Sequence, residues 1–528
     1  MKSFSGSFPV ISALWLIKVI FSRQAEIFCL TLCAESEGRF MKINIKSIQA
    51  TEPGHSVVYI TGKATVPSFL SLSAREKKYV LSRLKENEDY IFINSYSKCT
   101  YLVPIDAKPE EYRVIEEIRK KASRLRQLIR SNSHRELVIA SDKPVKGAEL
   151  AFAEGFILSA YSFSRYRTVS PKKNEGVYPS ELLLYNVNDK HGINWLRSVA
   201  EAVYLTRDLI NEPPNKLNSV ALAREIRKMS QSAGFSFEQL NRNKIEALKM
   251  GGLLAVNRGS VDPPVFCILE WKPGNEVNSK PIVLIGKGVI YDTGGINIKT
   301  GDYMGQMKAD MAGAATVAGI FYVIAKNKLP VHLVGLIPVT DNRPGGNAYV
   351  QGDIITMYNG TTVEVGNTDA EGRLILADAL AYAGKYSPEL IITIATLTGS
   401  ASMTFGNIAT AVMGNAPEAV FSELTEAGNA VYERIATLPF WEEYGELLKS
   451  DIADIKNTGG REAGAITAGK FLEFFTEYPL VHLDIAGTGI LKKDDSYRIK
   501  EGPGTGLRLI AEFLRRYSSG KNKKKRNG

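Results

Sequence analysis

Four acidic residues fall within one stretch of the C-terminal half of the chain, three of them in glycine-containing segments. Asp292 lies in YDTGG, Asp369 and Glu371 lie in NTDAEGR, and Asp310 lies between these segments. Glycines let the backbone turn sharply beside a ligand. Carboxylates brought to one place repel one another unless a positive group neutralises them, and their oxygens suit Mg²⁺, Mn²⁺ or Zn²⁺. The pattern therefore predicts a divalent metal centre.

Three cationic residues accompany these acids. Lys287 lies in IGKG, Lys299 follows Asp292 by seven residues, and Arg373 follows Glu371 by two. Taken singly, a charge of this kind is more often part of a structural ion pair or a solvated loop. A group of acidic and basic residues that lies beside glycines at the ends of predicted strands is instead typical of a functional site.

The elements that must position these residues alternate between strand and helix. They are predicted at 281–285 (strand), 305–326 (helix), 331–339 (strand), 353–365 (hairpin), 372–386 (helix) and 389–397 (strand). This alternation implies a mostly parallel sheet covered by helices, whose active site lies at the carboxyl ends of its strands. Asp292 would follow the first of these strands, and Asp310 would lie in the opening turns of the next helix.

The length of 528 residues predicts two or three domains. The fold class is α/β, with a smaller N-terminal α/β domain over 41–190 and a larger C-terminal catalytic domain over 191–516. We expect the larger domain to contain a mixed, mostly parallel sheet covered by helices, and a helix at 193–211 to connect the two. The composition, 44% hydrophobic and 23% charged, excludes a collagen, a coiled-coil rod and wholesale disorder. No membrane span is predicted.

The two ends of the chain differ from the rest. Residues 1–40 contain a short apolar run at 9–21 and are interpreted as a non-native or dispensable extension, with a secretory signal as the alternative. The last fourteen residues hold seven of the ten excess positive charges and no acid. We expect 517–528 to form a basic, disordered tail, and contact with nucleic acid stays open as its alternative role.

Several segments resemble the leucyl (cytosol) aminopeptidase family. NTDAEGRL at 367–374 resembles the signature octapeptide of that family, and residues 286–314 resemble its other metal-binding block. The resemblance continues through DLINEPPN at 208–215, ATLTGS at 395–400 and HLDIAGTG at 482–489. It covers roughly residues 205–510 and hardly touches the N-terminal domain.

The resemblance implies a role for each matching position. The ligands of a tightly held metal ion would be Lys287, Asp292, Asp310 and Glu371, and those of a more exchangeable ion would be Asp292, Asp369 and Glu371. Lys299 and Arg373 would be the two catalytic cations, with a bicarbonate ion held at Arg373. The pocket for the first side chain of the substrate would be lined by Met307, Thr396, Leu397 and Gly399. Asn367 would fix the signature loop.

The function implied by the resemblance is that of a metalloaminopeptidase. Two divalent ions per subunit, Mn or Zn, would activate water for the release of N-terminal residues from peptides, leucine and other mainly apolar residues among them. The enzyme would be a cytoplasmic homohexamer. Gly489 stands where some members carry a larger apolar residue, so a narrow leucine preference is not implied.

Two other classes of protein stay open. One is a nucleic-acid-binding regulator that keeps the peptidase fold, supported by the basic tail alone. The other is a structural member that has lost catalysis, against which the complete set of ligands and cations argues. Within the enzyme class, a dipeptidase bias also stays open. Outside the candidate site, Cys267 is interpreted as a small core residue and His482 as a core histidine whose hydrogen bonds are satisfied. Residues 502–506 are interpreted as a plain loop before a terminal helix.

Overall fold

The structure is a computed structural model, and it describes residues 43–527 apart from 53, 87 and 169–175, with side chains described up to 520. The predicted extension over residues 1–40 lies outside the described residues. The N-terminal part contains β1 (Asn44–Ile48), β2 (Ser56–Thr61), α1 (Ala74–Leu84), β3 (Ile91–Asn94), β4 (Cys99–Pro104), α2 (Glu111–Ser131), β5 (Glu136–Ser141), α3 (Ala148–Ala160) and β6 (Glu181–Tyr185). Its six-stranded sheet has the order β1-β6-β5-β2-β4-β3, in which only β3 and β4 pair antiparallel.

The C-terminal part begins with α4 (Lys190–Asn211), the amphipathic helix expected at 193–211. Its remaining helices are α5 (Ser219–Ala233), α6 (Arg242–Ala247), α7 (Gly251–Asn257), α8 (Ala312–Lys326), α9 (Glu371–Ala383), α10 (Gly399–Phe405), α11 (Glu418–Val431), α12 (Glu443–Glu446), α13 (Gly464–Glu473) and α14 (Leu507–Asn527). Its strands are β7 (Ser236–Leu240), β8 (Val265–Trp271), β9 (Ile282–Gly286), β10 (Gly288–Asp292), β11 (Leu333–Asn342), β12 (Ile354–Thr356), β13 (Thr362–Glu364), β14 (Leu390–Ala395), β15 (Thr410–Gly414), β16 (Ile435–Thr437), β17 (Ile455–Lys456) and β18 (Leu480–Asp484).

The main sheet is mixed and mostly parallel, as the sequence predicts. Its order is β16-β15-β18-β14-β9-β11-β8-β7, with β10 paired to β11. The central strands β11, β9, β14 and β18 run parallel, and β8 lies antiparallel to β11. Strands β9 and β14 are buried along their whole length because helices cover both faces, which explains their continuous apolar sequences. The α/β fold class is confirmed.

Helix α8 approaches the central strands unusually closely. A Cβ added at Gly313, in its first turn, would lie 2.0 Å from the carbonyl oxygen of Ile394. A Cβ at Gly286, the last residue of β9, would lie 2.6 Å from the carbonyl oxygen of Gly313. The helix and the strand can approach this closely only because Gly313 and Gly286 have no side chains. The close contact brings the start of α8 to the carboxyl end of β9.

The helix predicted at 305–326 is divided in the structure. Residues Gly301–Ala309 form a 3-10 helix, and α8 begins only at Ala312. Asp310 and Met311 have ψ angles of 3° and 12° and interrupt the helical path. The expectation that Asp310 lies in the opening turns of the helix is therefore wrong, because Asp310 precedes the helix. The hairpin predicted at 353–365 is confirmed, with β12 and β13 antiparallel.

One stretch within the described ranges, Gly301–Lys326, is apolar and long enough to cross a membrane by length and composition. Within this stretch, 89% of the most apolar window is buried inside the protein. Such burial is typical of a core helix in a globular protein, and the stretch includes the interruption at Asp310.

The two sheets share one apolar core. A single cluster of buried side chains extends from Ile45 and Phe152 in the N-terminal part to Phe321 and Leu514 in the C-terminal part. The predicted domain limits at 190 and 516 stay a prediction.

Helix α14 continues past residue 516, where Ser518 is buried. The hypothesis of nucleic-acid contact depends mainly on residues beyond 520, whose side chains are not described.

Candidate metal centre

The fold gathers the predicted site residues at the carboxyl ends of the central strands. Lys287 follows β9, where its N–H donates to the Ile394 carbonyl and its own carbonyl accepts from Ala314 of α8. Asp292 ends β10, and Glu371 is the first residue of α9. These ligand candidates therefore stand at the ends of regular elements, which hold their backbones in place.

The buried Lys287 side chain lies between two carboxylates. Its Nζ lies 2.8 Å from Asp310 Oδ2 and 2.8 Å from Glu371 Oε1, and it donates to the Thr396 carbonyl at 3.1 Å. Burial alone would lower the pKa of this amine, but the neighbouring carboxylates outweigh burial and raise it above its ordinary value. A Cβ at Gly372 would lie 2.6 Å from Lys287 Cε, so the glycine leaves the space through which the lysine passes.

Lys299 joins the remaining two carboxylates. Its Nζ lies 2.7 Å from Asp292 Oδ2 and also contacts Asp369 Oδ1. The other oxygen of Asp292 accepts hydrogen bonds from Gly294 N and Asn342 Nδ2, each at 2.9 Å. Asp292 is thus oriented from both sides, with one oxygen bound to the scaffold and the other turned toward the cluster.

The carboxylates are close enough to share a metal ion. One oxygen from each of Asp292, Asp369 and Glu371 lies within 4.8 Å of the others. Burial, together with repulsion from Glu371 and Asp292, raises the pKa of Asp369 to about 7, against the opposing effect of Lys299. Burial also raises the pKa of Asp310 well above its usual range. These carboxylates are therefore held together at an electrostatic cost that a divalent cation would relieve.

Two buried oxygens also lack donors. Glu371 Oε2 and Asp310 Oδ2 accept no hydrogen bond from any described residue. Asp310 Oδ2 is nevertheless neutralised by the Lys287 ammonium at 2.8 Å, so Glu371 Oε2 is the oxygen that the described residues leave unsatisfied. A buried carboxylate oxygen without a donor is unfavourable unless a cation satisfies it. The donor set therefore fits a hard divalent metal ion.

Arg373 lies just behind the carboxylates in α9. Its side chain is buried, Nη1 donates to the Asn457 carbonyl at 2.9 Å, and Nε has no partner among the described residues. Burial lowers the pKa of the guanidinium to about 10, partly offset by Glu371 and Asp484. Arg373 therefore remains charged at neutral pH and retains an unused donor for an anion.

The predicted pocket residues occupy the turn after β14 and the 3-10 helix. Thr396 touches the acidic cluster, because its Oγ1 donates to Asp310 Oδ1 at 2.7 Å. Leu397 follows it and donates its N–H to Asp484 at 3.1 Å, and Gly399 is the exposed first residue of α10. Met307 is half-buried in the 3-10 helix, three residues before Asp310.

Two asparagines that the sequence analysis did not identify hold the loops of the site. Asn342 at the end of β11 donates to Asp292 Oδ1 and to the Thr368 carbonyl. Asn457 accepts from Asn367 N and donates to the Asn367 carbonyl, at 3.2 and 2.8 Å. Both are buried, and both are distant in sequence from the loops that they bind. A single asparagine that belongs to no motif cannot be recognised from residue spacing, so the sequence did not indicate the role of Asn342 or Asn457.

Two residues outside the centre were predicted to be core residues. Cys267 is buried within β8, as expected. His482 is buried in β18 and shares a 2.8 Å hydrogen bond through Nδ1 with Thr393, but its Nε2 has no partner among the described residues. Burial and the neighbouring Arg373 lower the pKa of His482 to about 3, so the ring is neutral.

Comparisons with known proteins agree with this architecture. The model of the cytosol aminopeptidase family, catalytic domain, matches residues 204–511. A probable cytosol aminopeptidase of Geotalea uraniireducens is 44% identical over 378 residues, covering 70% of this chain and 76% of that protein. One from Chlorobium limicola is 41% identical over 383 residues, covering 70% and 75%. The solved structure of the bottromycin maturation enzyme BotP in complex with Mn has a TM-score of 0.76 at 27% identity, covering 88% of this chain and 99% of that chain.

The fold and the buried acidic cluster define a metal-dependent peptide hydrolase. The chain belongs to the cytosol aminopeptidase family, so the resemblance seen in the sequence is confirmed. It is a metal-dependent aminopeptidase that acts on peptide substrates.

Proposed function

We propose that the cluster is a dinuclear metal centre that releases leucine and other mainly apolar residues from the N-termini of peptides. The observation that carries the proposal is the approach of Asp292, Asp369 and Glu371 to within 4.8 Å, with the buried Glu371 Oε2 unpartnered. Two ammonium groups, those of Lys287 and Lys299, lie among these carboxylates, and this supports two positions for positive charge at the site.

Each ion has its own set of ligands in this proposal. Lys287, Asp292, Asp310 and Glu371 hold one ion, and Asp292, Asp369 and Glu371 hold the other. Lys287 must lose its proton to offer a lone pair, and the field of a dication favours that loss. When bound, the two ions supply Lewis-acid polarisation of the scissile carbonyl and a water molecule of lowered pKa for attack on it.

The two cations next to the ligands have separate roles. Lys299 carries its charge at neutral pH, because the carboxylates around it outweigh burial and raise its pKa. It donates to the carbonyl oxygen of the substrate and stabilises the negative charge that develops there. Arg373 would hold a bicarbonate ion through its unpartnered Nε, and that anion would supply a proton acceptor beside the attacking water.

The first side chain of the substrate lies against Met307, Thr396, Leu397 and Gly399. Gly489 lies against this region, because a Cβ there would lie 2.8 Å from the Ile485 carbonyl oxygen and 3.3 Å from Thr396 Cγ2. A larger residue at position 489 would therefore crowd Thr396, and its absence is consistent with acceptance of several apolar side chains.

The resident metal is Mn or Zn, and the Mn complex of the structurally similar BotP favours Mn.

The enzyme works as a homohexamer in the cytoplasm. Large apolar side chains exposed on the C-terminal part, such as Met403 at 83% and Trp441 at 64%, offer surface for subunit contacts. Light scattering coupled to gel filtration tests the assembly, and a monomeric active enzyme would contradict it.

Hydrolysis of leucine 4-nitroanilide tests the metal centre. Metal-stripped protein should be inactive and should recover with Mn²⁺, Zn²⁺ or Co²⁺, and each chain should bind two ions. Asp369→Ala should bind one ion and lose at least about 100-fold in kcat/KM. Asp302→Ala, the same change at an exposed position of the 3-10 helix, should behave as the wild type. Folded protein that is silent with every metal, or an active Asp369→Ala variant with two ions bound, would refute the proposal.

A further inference from the structure

The turn that follows β14 lies beside the end of β18. The two strands run parallel with Ala395 opposite Asp484, so both chains leave the sheet at the same level. The turn contains Thr396, Leu397 and Gly399, three of the four residues proposed to line the pocket for the first side chain of the substrate. Whatever fixes this turn therefore fixes most of one wall of that pocket.

The side chain of Asp484 holds the turn. Its Oδ1 accepts the N–H of Leu397 at 3.1 Å, and its Oδ2 accepts the Thr398 hydroxyl at 2.6 Å. The same hydroxyl accepts the N–H of Ala401 at 3.1 Å and so caps the start of α10. Oδ1 of Asp484 also accepts the N–H of Ala486 at 3.1 Å, in the loop that follows β18. One carboxylate thus joins two segments that are distant in sequence.

Asp484 is buried, with only 1% of its surface exposed. Burial raises the pKa of its carboxyl, and the three donors together with the charge of Lys287 act in the opposite direction. A buried carboxylate is unfavourable unless hydrogen bonds satisfy it. None of the metal-ligand or catalytic roles proposed above uses Asp484, so its contribution lies in the two segments that it joins.

The first residue of the turn is held from the other side, by the metal centre. The Thr396 carbonyl accepts from Lys287 Nζ at 3.1 Å, and the Thr396 hydroxyl donates to Asp310 Oδ1 at 2.7 Å. The next two residues of the turn are instead held by Asp484. The turn is therefore anchored to proposed metal ligands at one end and to Asp484 beyond it.

The loop after β18 packs against the same turn and against α10. A Cβ at Gly489 would lie 3.3 Å from Thr396 Cγ2, and a Cβ at Gly487 would lie 2.1 Å from the carbonyl oxygen of Gly406, just past α10. The hydrogen bond to Asp484 fixes the beginning of this loop. Release of that bond would let the loop move relative to the turn and so change the width of the pocket.

We propose that Asp484 is a positioning residue that sets the shape of the pocket for the first side chain of the substrate. Its hydrogen bonds go to the turn at 396–399 and to the loop at 485–489, so it acts on the substrate through these segments. The role rests on the pocket assigned under the proposed function, because Asp484 can select a side chain only if the turn contacts it. Its removal should therefore alter the preference among substrates more than the cleavage step itself.

A ratio of two rates tests the proposal: kcat/KM for leucine 4-nitroanilide divided by kcat/KM for alanine 4-nitroanilide, in Mn²⁺-loaded enzyme. The substrates differ only in the first side chain, so damage to the metal centre lowers both rates alike. Asp484→Ala should lower the ratio at least about fivefold, because one methylene group in an apolar pocket is worth about tenfold or more. The number of bound Mn²⁺ ions should not change. Asp484→Asn keeps an oxygen for the two backbone N–H groups and should keep the wild-type ratio.

Asp378→Ala is the matched control. Asp378 is also a buried carboxylate that accepts backbone N–H groups, but those of Leu253 and Tyr358, which do not belong to the pocket. Its removal should leave the ratio unchanged. Thr398→Val removes one hydrogen bond of the turn and leaves the buried carboxylate in place, so it provides the test if Asp484→Ala does not fold. It should lower the ratio, and Thr398→Ser, which keeps the hydroxyl, should not.

Three results would overturn the role of Asp484. One is an equal loss of rate with both substrates in Asp484→Ala, and another is a wild-type ratio in Thr398→Val. The third is a wild-type enzyme that cleaves both substrates equally well, because residues 396–399 would then select no side chain. A wild-type enzyme that cleaves neither substrate would refute the proposed function as well, so the two failures are distinguishable.

Discussion

Replacing Gly372 by alanine should disable the metal centre by displacing Lys287. The new Cβ would lie 2.6 Å from Lys287 Cε, 2.7 Å from Nζ and 2.9 Å from Cδ, whereas ordinary contact begins at 3.4 Å. The lysine must therefore move by about 0.8 Å, the difference between 3.4 and 2.6 Å, inside a site where it is 2% exposed. A displacement of about 1 Å at a catalytic site costs roughly 100-fold in rate, which corresponds to about 3 kcal/mol.

The stability of the variant should change less than its activity. Overpacking costs about 1–3 kcal/mol, but alanine is favoured over glycine within a helix by about 1 kcal/mol. The assay is kcat/KM for leucine 4-nitroanilide together with Mn²⁺ affinity and urea unfolding. Gly520→Ala is the matched control, because a Cβ there meets nothing within 4 Å among the described residues of α14. Wild-type activity and metal affinity in Gly372→Ala would refute the placement of Lys287.

Three further perturbations address the centre and its supports. Burial and carboxylate repulsion raise the pKa of Asp369 to about 7, so protons should compete with the metal ion below that pH. Calorimetry should show the affinity for the second Mn²⁺ falling about tenfold for each unit by which the pH is lowered below 7, and Asp369→Asn should abolish this dependence. Asn457→Ala removes the hydrogen bonds that hold the Asn367 backbone. It should lower kcat/KM about 30-fold, which corresponds to a loss of about 2 kcal/mol of transition-state stabilisation. Unchanged kinetics would contradict this role. Asp378 accepts the backbone N–H groups of Leu253 and Tyr358, each at 2.9 Å, so Asp378→Ala should cost about 2–3 kcal/mol in urea unfolding with little loss of activity per folded molecule. Burial raises the folded-state pKa of Asp378 to about 7, so its contribution to stability is present at acid pH and is lost as pH rises through 7, a dependence that Asp378→Asn should remove.

The buried strands and the charged residues next to them could be predicted from the sequence because each has a local signature. Strand β9 begins and ends within one residue of the predicted run, since a strand covered on both faces must be continuously apolar. The hairpin of β12 and β13 could be predicted from the Asn359–Gly360 pair between its two strands, because this dipeptide is typical of tight hairpin turns. The carboxylates at the site could be predicted because their glycine-rich neighbours mark sharp turns.

The features that the sequence did not reveal depend on contacts between distant segments. At the point where the helix at 305–326 divides, Asp310 accepts a hydrogen bond from Thr396 and forms an ion pair with Lys287. The spacing of alanines along the predicted helix contains no information about those two partners. Asn342, at the end of β11, and Asn457, just after β17, hold loops that are distant from them in the sequence, so no local spacing identifies them.

The close approach of α8 to β9 has a consequence for directed evolution of this enzyme. Positions 286, 313 and 372 can accept no side chain without moving the backbone or the lysine beside them. A randomised library that includes them would consist mostly of misfolded or metal-free variants, whatever selection is applied. Diversity placed instead at Met307, Leu397 and Gly399, which are exposed or half-buried, would alter substrate range while the three glycines stay fixed.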